Sequence, residues 1–448
     1  MNIAAVTAVI IFVAMFILVI LEVVPKEYIT LGSGALMLAL VFGLILRDGS
    51  AILDILNFRS LGIPGFWIGE APDAVGIDWA TIIFLLGMMI MVEGLTKAGF
   101  FRWLCLKIAS LVHYRTIPLF ITFMVMAAVL AMFIDSITVI LFLAAVTIEL
   151  AKILHFDPVP MIISEIFCSN LGGSATMCGD PPNIIIGSRL HYAFSDFLLN
   201  TGVIAGICLI VIIIYFYLVY HKKLEISGKN VDLSQIPDAK NVISSKFDFA
   251  GNVVIFLAVI VMLISHASTH LSVAFIGAVA AGATILFNFR HRKEILSKVN
   301  YSIIAFFIGL FIVVGGLETT GVLNAIADFI NSVSGGNVKI MIAIVLWISA
   351  VASAFVDNIP FAATMIPIIK GLAAGSPTLQ ATLAWTLSIG TDIGGAATPI
   401  GASANVVGIA VAHKNGYPVG WGRYCKGALP ATIIVVGLSM ILIYLRYC

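Results

Sequence analysis

The 448 residues are 61% hydrophobic and only 10% charged, against about 25% charged in a soluble domain. That composition excludes an ordinary soluble enzyme, a nucleic-acid binder and a disordered chain, and makes the lipid bilayer the first partner of this protein. The 24 basic and 23 acidic residues leave a net charge of +1, so function has to be read from where the charges sit.

A helix needs about 20 apolar residues to cross a bilayer. The run at 3–24 has no Lys or Arg before it and is expected to be a retained span rather than a cleaved signal. Further spans are expected at 29–47 and 79–97, with an amphipathic, interfacial stretch at 98–113. The region 116–154 is apolar but kinked at Asp135-Ser136-Ile137-Thr138, which predicts a re-entrant helical hairpin. The region 158–190 is apolar at both ends and Gly-rich between, which predicts a broken helix. A span at 197–220 precedes the polar stretch 221–249, read as a linker. Spans at 250–267, 271–289 and 301–319 follow, then an interfacial stretch at 321–335. A second hairpin is expected at 338–374, kinked at Asp357-Asn358-Ile359-Pro360, then a second broken helix at 378–413 and a last span at 425–446.

The two halves carry one pattern. Shifted by 222 positions, Asp78–Asn183 lies without a gap on Asn300–Asn405. The matches include Phe84/Phe306, Gly87/Gly309, Asp135/Asp357, Gly172/Gly394, Gly173/Gly395, Thr176/Thr398 and Asn183/Asn405. They cluster at glycines and polar residues within membrane-length segments. The fold class expected is therefore an all-α polytopic membrane protein with two repeats, 1–220 and 250–448, joined by the linker 221–249. Each half makes an odd number of crossings, so the repeats should run in opposite senses across the membrane. Placing both termini outside puts 18 of the 24 basic residues on the cytoplasmic side with the linker, as the positive-inside rule asks. The expected location is the plasma, or inner, membrane.

Inverted repeats with interrupted helices are a transporter signature. Unwound backbone in lipid costs several kcal/mol per unsatisfied group, so it persists only where it lines a cavity or binds something. The first break holds Ser169, Asn170, Gly172, Gly173, Thr176, Asp180 and Asn183. There Gly172, Gly173 and Gly179 read as sites of backbone freedom, and Asp180-Pro181 as a helix-restarting cap. The second break holds Asp392, Gly394, Gly395, Thr398, Ser403 and Asn405. A glycine seam for helix packing is the alternative, but a seam does not need Asp, Asn and Thr together. The hairpin kinks add Asp135, Ser136, Thr138, Asp357 and Asn358. A carboxylate in mid-membrane costs about 2.5–3.5 kcal/mol, so the paired Asp residues read either as cation or proton handlers or as caps that hold the hairpin turns. Glu149 and Glu165 read equally as relay groups or as a structural ion pair, with Lys152 as partner. Cys168 and Cys178 flank the first break; soft ligation of a metalloid is one reading and buried packing the other.

The segments EIFCSNLGGSATMCGDPPNIIIG, SAFVDNIPFAATMIPII and GGAATPIGASANVVG resemble the ion transporter superfamily. The resemblance is nearest to the branch of arsenite permeases (ArsB), NhaD-type sodium/proton antiporters and the melanosomal P protein, and covers nearly the whole chain. It implies a homodimer with a fixed scaffold and a moving domain of hairpins and broken helices, working as an elevator. The related divalent anion/sodium symporters carry Ser-Asn-Thr at their hairpin tips. Here Asp135-Ser136 and Asp357-Asn358 stand in those places, which favours a site that handles cations or protons.

The function expected is secondary active transport of a small inorganic or organic anion, with arsenite or antimonite among the candidates, coupled to H⁺ or Na⁺. A coupling Na⁺ would sit at Asp135, Asn170, Asp357 and Asp392, and no other cofactor is expected. Sodium/proton antiport is the alternative, with a gated channel behind it. A membrane-embedded protease fits poorly, since no GxGD motif accompanies the Asp pair.

Overall fold

The computed structural model describes residues 3–21, 23–69, 75–224, 239–243, 245–373 and 375–448. Most of the expected linker, 225–238 and 244, lies outside the described residues. The elements are helical throughout: α1 (Ile3–Leu21), α2 (Lys26–Leu36, continued as a π-helix over Met37–Leu46), α3 (Gly49–Leu56), α4 (Pro64–Trp67), α5 (Trp79–Lys97), α6 (Phe100–Leu111) and α7 (Thr116–Ala131). Then come α8 (Ser136–Leu154), α9 (Val159–Gly173), α10 (Pro181–Leu190), α11 (Phe194–Leu224), α12 (Lys246–Thr269), α13 (Val273–Phe287) and α14 (Arg292–Lys298). The last are α15 (Tyr301–Thr319), α16 (Val322–Ser334), α17 (Val338–Phe355), α18 (Asn358–Ala373), α19 (Pro377–Gly395), α20 (Ser403–Lys414) and α21 (Trp421–Tyr447).

Nine helices among the described residues are long and apolar enough to cross a membrane. They coincide with the apolar runs of the sequence. One expected span falls short: 271–289 yields α13, a 15-residue helix outside those nine. The other differences lie at the edges: α11 runs on through His221–Leu224, and the short helices α3, α4 and α14 had no hydropathy signal. Elements of the first half recur 222 residues later, α5 on α15, α6 on α16, α7 on α17 and α10 on α20, with equal or nearly equal bounds.

In lipid, apolar burial does not drive helices together; small residues that let backbones approach do. That rule organises this fold. Against α13, a Cβ on Gly87 of α5 would stand 2.0 Å from the Gly277 carbonyl oxygen. Against α2, a Cβ on Gly309 of α15 would stand 2.3 Å from the Thr30 carbonyl carbon. Hairpin arm α7 packs on broken-helix segment α9, and α17 packs on α19. The halves also interlock, since α8 packs on α20 and α18 on α10. Long apolar faces stay outside: Ile210 and Leu218 on α11, and Val254 and Val261 on α12, are each 63% exposed, as lipid-facing helices should be.

Candidate functional site

Both broken helices stop and restart. The first is helical to Gly173 and again from Pro181; the second is helical to Gly395 and again from Ser403. The glycines act through space rather than through backbone freedom. None of Gly172, Gly173, Gly179, Gly394, Gly395 and Gly401 has a positive φ. Instead a Cβ on Gly172 would stand 2.1 Å from the Ala128 carbonyl oxygen, and one on Gly394 2.4 Å from that of Ala350. The expected φ requirement is corrected accordingly: the breaks are pressed against the hairpin arms.

Side chains replace the lost helical hydrogen bonds. The Thr176 hydroxyl donates to the Met132 carbonyl, and Thr398 does the same to Ala354. Asn183, in the first turn of α10, donates to the carbonyls of Gly173 (2.9 Å) and Thr176 (3.3 Å). Asn405, in the first turn of α20, donates to those of Gly395 and Thr398, both at 2.7 Å. Each Asn staples the restarted half-helix to the end of the preceding one.

The two breaks then meet. The Asn170 amide donates to Asn405 Oδ1 at 3.0 Å, and the Asn183 amide donates to Asp392 Oδ2 at 2.8 Å. Asn170 and Asp392 occupy matching positions, as do Asn183 and Asn405, so the two contacts are reciprocal. All four side chains are fully buried. Asn170 Oδ1, Asn183 Oδ1, Asp392 Oδ1 and the Ser169 hydroxyl have no hydrogen-bond partner in this structure. Buried polar atoms are normally satisfied, so these oxygens at the crossing call for a donor or a cation.

The hairpin tips converge beside it. Asp180 occupies the N-cap position of α10, but its side chain makes no capping bond. That corrects the simple cap reading. Its Oδ1 accepts from the Ser136 hydroxyl of the first hairpin at 3.0 Å, and its Oδ2 from the Asn358 amide of the second at 2.6 Å. Asn183 links the two acids, its backbone N–H donating to the Asp180 carbonyl at 3.1 Å and its side chain to Asp392. Among the described residues the side chains that donate to these two acids, Ser136, Asn358 and Asn183, are neutral.

The two kink aspartates have other occupations. Asp135 caps α8, accepting from the Thr138 amide at 2.9 Å and its hydroxyl at 2.7 Å. Asp357 pairs with Lys26 at 2.5 Å, and the same ammonium reaches Ser403 Oγ at 3.4 Å. Neither Asp135 nor Asp357 has a hydrogen bond to the Asn170–Asp392 crossing, and among the described residues no three His, Cys, Asp or Glu side chains gather to hold a metal. The tips open unequally. A cavity of about 380 Å³ lined by Lys26, Asp357 and Ser403 lies at the second tip, against about 40 Å³ at the first, lined by Asp135, Ser136, Cys178 and Asp180. Lys26 was missed in the sequence; its signal is a single cation following Pro25 at the start of an apolar run. Glu149 pairs with Arg102 at 2.9 Å rather than with Lys152. Glu165 is fully buried and accepts from the Thr147 hydroxyl at 2.6 Å. Cys168 and Cys178 are both buried.

Residues 16–390 match the model of the CitMHS family, described as a citrate transporter. The chain belongs to the citrate transporter family. A 46 kDa membrane protein of Mycobacterium leprae is 33% identical over 374 residues, covering 83% of this chain and 87% of its own. An uncharacterized transporter of Mycobacterium tuberculosis is 30% identical over 446 residues, 99% of both chains. The human P protein is 26% identical over 494 residues, covering 90% of this chain and 58% of its own length. In fold, this citrate-transporter family member is similar to the Alcanivorax borkumensis YdaH transporter, with a TM-score of 0.59 at 14% identity over 99% of this chain and 98% of the other. It is also similar to MtrF of Neisseria gonorrhoeae, from a class of antimetabolite efflux pumps, with a TM-score of 0.57 at 13% identity over 100% and 95%. Together with the nine apolar helices, these relatives make the protein an integral membrane transporter within the branch its motifs resemble.

Proposed function

We propose that the protein is a secondary active transporter that moves a small anion, coupled to H⁺ or Na⁺ held where the two broken helices cross. The observation that carries this reading is the placement of two buried acids, Asp180 and Asp392, on the backbone and side chain of one residue, Asn183. Both are buried, Asn183 bonds to both, and the side chains that donate to their carboxyl groups, Ser136, Asn358 and Asn183, are neutral. Two buried acids whose donors are all neutral need a proton or a cation to offset their charge. The unpartnered oxygens of Asn170, Asn183, Asp392 and Ser169 are hard ligands of the kind Na⁺ takes. Asp135 and Asp357 then act as tip-holding groups more than as first ligands.

The family description supports an organic carboxylate as cargo; arsenite or antimonite is the inorganic candidate, supported by the resemblance of the breaks to arsenite permeases. Sodium/proton antiport is a second reading, favoured by the same pair of acids. The reciprocal contacts Asn170–Asn405 and Asn183–Asp392 support two repeats, 1–220 and 250–448, related by a two-fold axis in the membrane plane. The unequal cavities at the two tips support a state open on one side, as an elevator motion requires. Both termini outside, an inner-membrane location and a homodimer complete the reading.

The test is uptake into proteoliposomes. Radiolabelled citrate should accumulate under an imposed Na⁺ or pH gradient and fail to accumulate when both are collapsed. Arsenite in place of citrate tests the inorganic cargo, and collapse of a pH difference by Na⁺ alone tests antiport. Flux that ignores both gradients overturns the coupling.

A further inference from the structure

The crossing employs the buried acids Asp180 and Asp392 and leaves Glu165 of α9 without a task. Every residue of α9 is buried, Glu165 fully. Its Oε1 accepts from the Thr147 hydroxyl of α8 at 2.6 Å, and its Oε2 is buried with no hydrogen-bond partner. It takes no part in the ion pairs among the described residues. The hydrogen bonds of the crossing do not include it, and neither tip cavity is lined by Glu165 or Thr147. The second half shows the same seam without an acid. Shifted by 222 positions, Thr147 lies on Ile369 and Glu165 on Leu387, both fully buried, and α18 packs on α19 as α8 packs on α9. Two aliphatic side chains close the seam in one half, a hydroxyl and an acid in the other. Packing therefore does not require Glu165, and an acid kept at membrane depth without a packing need is a functional candidate.

The surroundings decide the ligand. Besides α8, helix α9 packs against α7, α11, α19, α20 and α21. Helix α7 has no ionisable side chain, and α19 has only Asp392, which Asn183 engages. On α8, Glu149 pairs with Arg102, and Lys152 donates to Asn415 Oδ1 at 3.2 Å. Arg423 of α21 pairs with Asp157 ahead of α9. The basic groups of α20, His413 and Lys414, and of α11, His221 to Lys223, sit in last turns. The groups in electrostatic reach of Glu165 are two buried thiols, Cys105 of α6 and Cys168 of α9 itself. No cation offsets a carboxylate there. A buried acid without a countercharge is neutralised by a proton rather than left as an unpaired charge. The bond from Thr147 still fits, since a carboxylic acid keeps a carbonyl oxygen as acceptor.

We propose that Glu165 is a proton-binding site of the transport cycle, separate from the crossing. It is loaded in the state seen here, enclosed between the first hairpin and the first broken helix. When the α8–α9 seam opens, its O–H bond breaks, the proton passes to water and a carboxylate remains. The proposal deepens the coupled-transport reading and rests on it for the flux arm of the test. The infrared arm stands alone: the full-length protein in lipid at neutral pH should show the C=O band of a protonated carboxyl that Glu165→Gln lacks. Gln keeps an oxygen for the Thr147 hydroxyl, and Thr147→Ile with Glu165→Leu copies the seam of the second half, so one of the two should fold, as thermal melts will report. In proteoliposomes, each folded variant should lose accumulation of radiolabelled citrate driven by a pH gradient. Each should still exchange internal for external citrate when no gradient is imposed, because exchange needs no net proton release. A band unchanged in Glu165→Gln overturns the proposal, as does pH-driven accumulation at the wild-type level in either variant. Loss of exchange together with accumulation also overturns it, since Glu165 would then serve the movement rather than the proton. Wild type driven by Na⁺ alone overturns this proposal and leaves the coupling reading standing; wild type that ignores both gradients overturns both.

Discussion

Asp180 is the most informative single position, because it joins three elements. Its carboxylate accepts 3.0 Å from Ser136 and 2.6 Å from Asn358, one contact from each hairpin tip. Hydrogen bonds to a charged acceptor contribute about 1.5–3 kcal/mol each, and neutral ones about 1. In Asp180→Asn the amide oxygen keeps the Ser136 contact, and a flip of Asn358 turns its own oxygen toward the new NH₂. The change therefore costs about 1–3 kcal/mol, and the protein should remain folded. In Asp180→Ala both donors are left buried without an acceptor, at about 1–3 kcal/mol each, so the loss should be about 2–6 kcal/mol. Detergent-solubilised protein followed by fluorescence size exclusion after heating should rank wild type above Asp180→Asn above Asp180→Ala. In proteoliposomes, Asp180→Asn should lose gradient-driven accumulation although it is folded, because the charge that faces the coupling ion is gone. Accumulation at the wild-type level in Asp180→Asn, or equal stability of the two variants, refutes this reasoning.

Gly172→Val should reduce the yield of folded protein sharply, since its Cβ would already stand 2.1 Å from the Ala128 carbonyl oxygen; Gly206→Val, with open space around its Cβ, is the control, and size exclusion reads both. A double-mutant cycle on Asn183→Ala and Asp392→Ala should give a coupling energy of about 1.5–3 kcal/mol in thermal stability, as a charge-assisted bond does; additivity would mean the 2.8 Å contact is not made. Lys26→Met removes the ammonium that pairs with Asp357 in a partly exposed cavity. Because such pairs contribute little to stability, the melting temperature should move by a few degrees at most. The initial rate of uptake should change several-fold, since the contact ties the second hairpin to α2, and an unchanged rate would assign it to packing alone.

Hydropathy alone located the long spans, because in lipid a helix must satisfy its own backbone and its length follows from bilayer thickness; it overstated only the run at 271–289, which forms a helix of 15 residues. The interruptions were equally legible, as Gly-rich polar stretches inside apolar runs, and the structure stops its helices at Gly173 and Gly395. What those residues do was less legible. The glycines looked like places of unusual φ, and at Gly172, Gly179, Gly394 and Gly401 a hairpin carbonyl comes too close for a side chain. Asp180 looked like a cap, and its carboxylate is taken by two residues 44 and 178 positions away. Such long-range partners leave no local pattern. Asp135 shows the opposite case: its bonds to Thr138 are three residues away, and the capping alternative was visible in the motif. Lys26 and Asp357 are separated by 331 positions, and nothing in either neighbourhood announces the other.

If the two interrupted helices meet to hold one coupling cation, that cation must stabilise the folded protein. Binding to the folded state at a concentration 100 times Kd stabilises by about 2.7 kcal/mol. Purified protein should be melted in NaCl and in choline chloride of equal ionic strength, across a range of pH, as wild type and as Asp392→Asn. Na⁺ or acid should raise the melting temperature of wild type, and Asp392→Asn should lose the response. A variant that answers both ions as wild type does would contradict it.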